Sequence, residues 1–512
     1  MLNFNLNSKS TMKRYNFKIL LVACLALFTF NSCDKDFEEV NINPTQASEL
    51  DPALQLTRVQ VTMSNNRYEY WRAQYIYCST IIQHNASNQS YWSGDKYNMI
   101  DSYASAWWDS SYPRDVKNVT DLVTRTSEDP VFVNFNAAAR ILRVYIMSRI
   151  TDLYGDSPYT QAGKGFIEGV YFPEYDTQES IYNDFFAELE NAAKLFTTDA
   201  SVLPLTGDVF LGNDIEKWKR WANSLRLRLG MRLTKVNAGL AQQQVQSAIS
   251  SGVMQSNDDI VYLQHTQIET NGNSDVMAAD DAFRMSKVFV EHLLSTGDPR
   301  LPVWGMTYDA DGVPQPDVST WKGLPNGTDG NSPESEVYET FVRHNRTTVK
   351  DPSSPCFHMT YAEVEFLLAE AAVRGWGAPL SAAEHFERGM RAGVEHVRWY
   401  PNAVIDQDDL DAFVANNPLD TSSDDAMMEQ IATEQWVQFY LNAMEAFSNW
   451  RRTGYPELTP VNHPIGTTGG TIPRRLYYPP GEKSVNPNFD IAVNRQFGGV
   501  NDLTGRVWWD VQ

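Results

Sequence analysis

The chain has 512 residues and a formal net charge of −22 at pH 7, with 42 Lys and Arg against 64 Asp and Glu. This acidic balance argues against a nucleic-acid-binding protein, which needs basic patches for phosphates, and against adsorption to anionic lipid. Aromatic residues make up 12% of the sequence, including 14 Trp, and a chain of this length can form a large core or several units.

The N-terminus carries four basic residues followed by an uninterrupted apolar run over residues 19–30. The run is too short to cross a bilayer as a helix, which takes about 20 apolar residues. A positive segment before a short apolar run is typical of a secretory signal peptide. We therefore interpret residues 1–32 as a signal, whose removal takes away four positive charges and no acids and leaves a net charge of −26.

Cys33 follows Ser32 directly after the apolar run. A small residue before a cysteine at this place is typical of a bacterial lipoprotein signal, and it predicts that the Cys33 thiol carries a diacylglyceryl group. Several acyl chains on one residue give lasting membrane attachment. The alternative is a soluble secreted protein in which Cys33 has no such role. The acidic residues at 34–39 resemble the surface-export signal of Bacteroidetes lipoproteins, and residues 33–50 are interpreted as a tether and N-terminal arm.

Cys78 and Cys356 are the cysteines that remain besides Cys33 and Cys24 of the signal. Two distant cysteines do not make a disulfide framework, although they could pair in an oxidising compartment. We expect two buried thiols.

Helical periodicity dominates the rest of the sequence. Capping signals mark helix starts, and apolar residues recur behind them at helical spacing. A last long helix is expected from about residue 425 to 450. Ala-rich helix pairs with short loops predict hairpins stacked like tetratricopeptide units, although the strict consensus is absent. The helix starts lie at Asp129–Pro130, 176–179, 213–216, 360–363 and 381–384.

Three stretches are irregular: residues 83–97, 297–356 and 453–490. Loops of this length within a compact protein are usually functional or disordered. Their Trp and Tyr content favours ordered loops over a helical scaffold. The predicted fold class is mainly α, a tetratricopeptide-like α-α superhelix with long irregular capping loops and few short strands.

Several blocks in order resemble the SusD/RagB family of outer-membrane nutrient-binding lipoproteins, over the whole mature chain. The most specific block runs through Glu434-Gln435-Trp436 and Glu445-Ala446 to Asn449-Trp450-Arg451-Arg452-Thr453-Gly454-Tyr455-Pro456. The other blocks are residues 37–44, 151–159, 298–301, 323–327, 361–376, 473–479 and 486–488.

The resemblance implies that residues 51–512 form a SusD-like nutrient-binding domain on the extracellular face of the outer membrane. It implies a lid on a SusC-like TonB-dependent transporter, which captures an oligosaccharide and passes it into the barrel. A peptide ligand is the alternative within the family. No catalysis and no cofactor are implied.

Candidate ligand contacts are aromatic residues on loops beside amide or charged side chains, because sugar rings stack on aromatic faces and their hydroxyls take hydrogen bonds. In the family, such contacts commonly come from an early loop and from the irregular region before the last helices. The candidates are Tyr91, Trp92, Tyr97, Asn98, Trp304 and Trp321.

Other groups have structural interpretations. Glu445, Trp450, Arg451 and Arg452 are expected to clamp a loop to the scaffold, and only one of the adjacent Trp107 and Trp108 is expected to point inward. Residues 309–312 (DADG) hint at a calcium loop but lack the remaining spacing, so a plain turn is expected there.

Known catalytic motifs are absent: the sequence has no GxSxG elbow, Walker A loop or HExxH helix. Paired carboxylates of a surface glycosidase cannot be singled out in so acidic a chain.

Overall fold

Helices form most of the protein, and the computed structural model describes residues 50–512. One unit spans Pro52–Gln512. The predicted signal peptide, Cys33 and all but the last residue of the predicted tether lie outside the described residues. Within the described part, no helix combines the length and apolar character that a membrane span requires.

The scaffold is a succession of helices in which neighbours along the chain pack against one another. This arrangement confirms the predicted mainly α, tetratricopeptide-like superhelix. The scaffold helices are Lys117–Ser127, Val133–Tyr154, Gln178–Leu195, Ile215–Arg232, Ala238–Ser251, Tyr361–Val373, Ala382–Val397, Asp424–Gln438 and Ala443–Thr453.

Shorter elements cap this scaffold. The α-helices among these shorter elements are Pro52–Ser64, Arg67–Glu69, Asp101–Ala104, Ala106–Ser111, Gly165–Glu168, Gly272–Ala279, Lys287–Thr296, Leu301–Trp304, Gln407–Asn416, Pro480–Val485 and Phe489–Phe497. The shorter elements also include the π-helices Tyr70–Ser79 and Tyr112–Val116. The 3₁₀ turns are Gly94–Lys96, Pro130–Phe132, Asn257–Asp259, Val318–Thr320 and Pro333–Thr340.

The strands are short and antiparallel. Asn85–Ala86 pairs with Arg284–Met285, and Val261–Gln264 pairs with Pro355–Met359. Gly305–Tyr308 lies between Pro314–Gln315 and Arg343–His344. These strands connect loops that are far apart in sequence, so the long irregular stretches are ordered.

The predicted helix starts are confirmed with differences in detail. Ser381 and Glu384 form a reciprocal capping box. The Thr360 side chain accepts a hydrogen bond from the Glu363 N–H, but the Glu363 carboxylate itself binds the guanidinium of Arg228. At 213–216 the cap is Asp214, whose carboxylate accepts hydrogen bonds from the N–H groups of Glu216 and Lys217.

The predicted single helix over residues 425–450 is wrong. The first helix ends at Gln438 and the second begins at Ala443. Between them Leu441 has a φ of +68°, and its carbonyl oxygen accepts a hydrogen bond from Gln74 Nε2 at 3.0 Å. Both segments are rich in helix formers, so local sequence gave no sign of a break that a distant side chain stabilises.

Buried ion pairs join the scaffold helices from inside. Arg228 pairs with Glu363 at 2.5 Å, and Arg232 pairs with Glu445. Burial of an unpaired charge costs several kcal/mol, so these pairs tie the positions of the helices to each other.

The C-terminal block is a structural clamp, as the sequence predicted. Arg451 donates to the carbonyl oxygens of Asp152 at 2.6 Å and Arg474 at 2.9 Å. Arg452 donates both terminal nitrogens to Glu370, at 2.7 and 2.8 Å. Both arginines are buried.

Trp107 and Trp108 are both buried, which contradicts the prediction that only one points inward. The short helix Ala106–Ser111 is covered on two sides. Trp107 packs against Tyr70, whereas Trp108 packs against Tyr154 and Tyr175.

Cys78 and Cys356 are free and buried, as expected. Burial raises the pKa of the Cys78 thiol to about 12 and that of Cys356 to about 11, so both are protonated at neutral pH.

Candidate ligand-binding site

Trp92 is fully buried, with 0% of its surface exposed. Its Nε1 donates to the carboxylate of Asp280 at 3.0 Å, and its ring stacks on Phe283 with the centroids 4.3 Å apart. A ring covered on its faces by protein offers no platform to a sugar. The prediction that Trp92 is an exposed contact is therefore wrong.

Three further candidates are buried for related reasons. The hydroxyl of Tyr97 accepts a hydrogen bond from the N–H of Val461 at 3.0 Å. Trp321 donates its Nε1 to the carbonyl oxygen of Gln315 at 2.9 Å. Trp304 packs beside Tyr440, 5.0 Å between centroids. Long loops are ordered only when they bury apolar surface, and these rings provide it.

Tyr91 and Asn98 are half-buried and remain candidate contacts. The Tyr91 hydroxyl donates to Asp280 at 2.9 Å, so one carboxylate holds Tyr91 and Trp92 together. Burial and the neighbouring Asp280 charge raise the pKa of Tyr91 to about 12. Tyr91 is therefore a neutral, oriented phenol with part of its ring open to solvent.

The most distinctive partly exposed feature next to this loop is a group of three rings around one guanidinium. We call Tyr68, Trp71, Arg72 and Tyr103 the aromatic cluster. The Arg72 Cζ lies 3.9 Å from the ring centroid of Tyr68, 4.8 Å from that of Trp71 and 4.4 Å from that of Tyr103. Tyr68 is 46% exposed, and the other three members are half-buried.

The backbone that carries the aromatic cluster is unusual. The Asn66 side chain caps the helix Arg67–Glu69 by accepting from the Glu69 N–H at 3.2 Å. That helix runs directly into the π-helix Tyr70–Ser79. π-helices are rare and occur frequently at functional sites. Tyr70 and Tyr75 point into the core, while Trp71 and Arg72 stay at the surface.

Glu69 joins the segment that carries the aromatic cluster to the π-helix Tyr112–Val116. Its carboxylate pairs with Arg114 at 2.8 Å and is almost fully buried. Burial first, and the neighbouring charge of Asp115 second, raise the pKa of Glu69 to about 7. Glu69 does not pair with Arg72, which has no carboxylate partner among residues 50–512.

Three N–H donors of the aromatic cluster lack acceptors. Trp71 Nε1, Arg72 Nε and Arg72 Nη1 are shielded from solvent and have no hydrogen-bond partner. A buried donor without a partner costs about 1–3 kcal/mol, so such groups call for explanation. The half-exposed rings offer faces to flat C–H surfaces, whereas an oxygen acceptor reaches the three shielded donors only when the side chains of the cluster rearrange. The open rings and the guanidinium without a carboxylate partner therefore fit a ligand that combines a flat face with oxygen acceptors, such as a sugar or a peptide.

Sequence reasoning missed all four members of the aromatic cluster. The predicted contacts lie in irregular loops, whereas Tyr68, Trp71 and Arg72 lie in a helical segment. A signal was nevertheless present, because residues 67–72 (RYEYWR) combine three aromatic and two basic side chains.

The segment 309–312 forms a tight turn. The Asp309 carboxylate accepts hydrogen bonds from the N–H groups of Asp311 at 3.0 Å and Val313 at 2.8 Å. In the part of the chain that the structure describes, no group of three or more His, Cys, Asp or Glu side chains converges as a metal site would require.

Comparison with known proteins identifies the class. The family model for SusD-like proteins, described as "Starch-binding associating with outer membrane", matches residues 44–479. The match covers most of the chain, so this protein belongs to the SusD-like family. No curated protein matches the sequence.

Similar solved structures support the assignment to this family. A chitin-binding protein is 38% identical, with a TM-score of 0.82 over 90% of this chain and 100% of its own. A SusD-like protein named Bacteroidetes AC2a is 28% identical, with a TM-score of 0.79 over 90% and 100%. A chitin-binding SusD homolog from Flavobacterium johnsoniae is 26% identical, with a TM-score of 0.76 over 90% and 98%.

Proposed function

We propose that the protein binds glycans at the cell surface and that chitin-type oligosaccharides are its ligands. The aromatic cluster carries the proposal, because it combines half-exposed rings with three N–H donors that have no protein acceptor. Two similar structures are named as chitin-binding. Sugars of chitin present acetamide carbonyl groups in addition to hydroxyls, and such carbonyls suit guanidinium and indole donors. Tyr91 and Asn98 flank the site in this proposal.

Delivery follows from the family. We infer that residues 33–50 tether the domain to the outer membrane through lipid on Cys33, and that the bound sugar passes to a SusC-like TonB-dependent transporter. The family description, which places its members at the outer membrane, supports this. Mass spectrometry of the mature N-terminus tests the anchor, and an unacylated terminus contradicts it. Co-purification with a large barrel protein tests the partner.

Binding without turnover is the expected behaviour. SusD-like proteins are binding proteins, and the aromatic cluster contains no acid–base pair of the kind that glycoside hydrolysis needs. Chito-oligosaccharide incubated with the purified protein is expected to stay intact, and release of shorter sugars would favour a surface glycosidase.

The test of the ligand is calorimetric titration with chito-, malto- and peptide oligomers. We expect saturable binding of the chito-oligomer. Arg72→Ala and Trp71→Ala each remove a central contact and are expected to cost about 2 kcal/mol, roughly 30-fold in Kd.

Arg346→Ala is the matched control. Its guanidinium lies 4.1 Å from the ring of Tyr308 and forms the same kind of pair at another place on the surface. This variant should bind as the wild type does. Binding of the peptide alone would contradict the glycan assignment, and normal binding by both Arg72→Ala and Trp71→Ala would contradict the site.

A further inference from the structure

A second concave site exists that none of the aromatic cluster's residues lines. It has a volume of about 420 Å³ and lies between the segments 108–117, 158–173 and 482–486. Ligand pockets in proteins usually measure about 300–1,000 Å³. The site is therefore large enough for a small ligand or for part of a longer one.

Two of its lining residues are aromatic and very exposed. Phe166 is 85% exposed and Tyr171 is 74% exposed. Single exposed apolar residues are common on protein surfaces, but two aromatic rings at one pocket are not explained by packing. Trp108 and Tyr112 also line the pocket.

The pocket is held in shape by hydrogen bonds between the segments that form it. The Tyr112 hydroxyl donates to the carbonyl oxygen of Pro158 at 2.9 Å. Asn486 Nδ2 donates to that of Pro173 at 3.0 Å, and the Tyr175 hydroxyl donates to Glu482 at 2.7 Å. The loop can pass this close to the neighbouring helix because Gly163 has a φ of +76° and no side chain.

Polar groups in the lining are left without protein partners. Asp109 and Lys117 form no ion pair within the described residues, although both line the pocket. Gln161 accepts a hydrogen bond from the N–H of Glu174 through its Oε1, which leaves its amide NH₂ without a protein acceptor. Acceptors and donors are thus both available beside the rings.

We propose that this pocket is a second carbohydrate subsite, which takes a sugar unit on the ring of Tyr171 or Phe166 and binds its hydroxyls through Asp109, Lys117 and Gln161. The inference rests on the proposed glycan-binding function. Exposed rings supply stacking faces, and a mixed set of charged and amide groups matches hydroxyls, which both donate and accept. A purely apolar ligand would leave those groups desolvated at a cost.

The test is hydrogen–deuterium exchange of the whole mature protein with and without a saturating long chito-oligomer. We expect protection of amides in residues 163–173 and 482–486, in addition to protection near residues 67–72. Calorimetry of a Phe166→Ala, Tyr171→Ala double variant is expected to show at least a fivefold loss in affinity for the long oligomer.

The neighbouring Phe172 provides the matched control. It is 56% exposed on the same loop but does not line the pocket. Phe172→Ala should therefore bind as the wild type does.

The outcomes separate the two proposals. In the Arg72→Ala, Trp71→Ala background, residual binding that disappears after Phe166→Ala and Tyr171→Ala supports the second subsite. If the wild type binds glycan and the Phe166→Ala, Tyr171→Ala double variant binds it equally well, the subsite is disproved while the proposed function stands. If the wild type binds no glycan, the proposed function fails first.

Discussion

The aromatic residues of this protein form two groups: those whose rings are enclosed in the fold and those whose rings remain open to solvent. Trp92 and Trp71 represent the two groups, since each carries an indole N–H in an aromatic environment. Trp92 gives its N–H to Asp280 and is enclosed, whereas the N–H of Trp71 has no acceptor and the residue is half-buried. Sequence alone could not separate them, because the acceptor for Trp92 lies 188 positions further along the chain.

Trp92→Ala is expected to destabilise the fold by about 3–5 kcal/mol, the usual cost of removing a large buried aromatic side chain. Chemical denaturation measures this change. The glycan affinity of the protein that remains folded should be close to that of the wild type. Trp71→Ala should show the reverse pattern, with weak binding and a small change in the free energy of unfolding. Loss of affinity in Trp92→Ala without loss of stability would restore Trp92 as a ligand contact.

Among the structural elements, the loop that contains Gly94 packs tightly against the π-helix Tyr70–Ser79. The turn Gly94–Lys96 lies against the π-helix Tyr70–Ser79, and at Gly94 an added Cβ would overlap the carbonyl oxygen of Ile76 and the hydroxyl of Thr80. The loop therefore approaches the helix as closely as backbone allows. Through this contact the half-buried Tyr91 and the aromatic cluster are placed on neighbouring segments.

Gly94→Ala is accordingly expected to destabilise the protein by about 1–3 kcal/mol, the usual cost of overpacking. Thermal unfolding checks it. Gly481→Ala is the control, because nothing lies near an added Cβ there and the residue belongs to a short helix. An equal melting temperature for Gly94→Ala and the wild type would show that the loop can withdraw from the π-helix at little cost.

At the scale of the whole molecule, ionisable groups inside the helical scaffold make stability depend on pH. Glu434 is buried beside Arg300 and Asp298. Burial, the largest effect, raises its pKa from 4.5 to about 7, even though Arg300 acts in the opposite direction. Between these two values the folded protein holds a proton on Glu434 that the unfolded chain has released. The contribution of this carboxyl is therefore fully present below pH 4.5 and is lost as the pH rises through 7.

Glu434→Gln removes this dependence. The free energy of unfolding of the variant, minus that of the wild type, is expected to increase by up to about 3 kcal/mol from pH 4.5 to 7. Urea denaturation at several pH values measures the difference. A difference that stays constant over this range would mean that Glu434 is ionised in the folded protein throughout.

Much of the scaffold could be predicted because local rules decide it. The capping box at Ser381 and Glu384 and the Asp129–Pro130 helix start are read from a few adjacent residues. Leu441 could not be predicted, because a side chain 367 positions away stabilises its left-handed conformation. The site was located only approximately for the same reason. Tyr91 and Asn98 lie in the expected loop, but the rings chosen beside them serve as the loop's own core.

The sandwich of Arg72 between three rings has a thermodynamic consequence. A free arginine side chain has about 2 kcal/mol of rotamer entropy to lose when a ligand immobilises it. Here Tyr68, Trp71 and Tyr103 already restrict the guanidinium before any ligand arrives. The entropic cost of ordering Arg72 is therefore met during folding. A sugar that binds the aromatic cluster retains more of its interaction free energy as affinity.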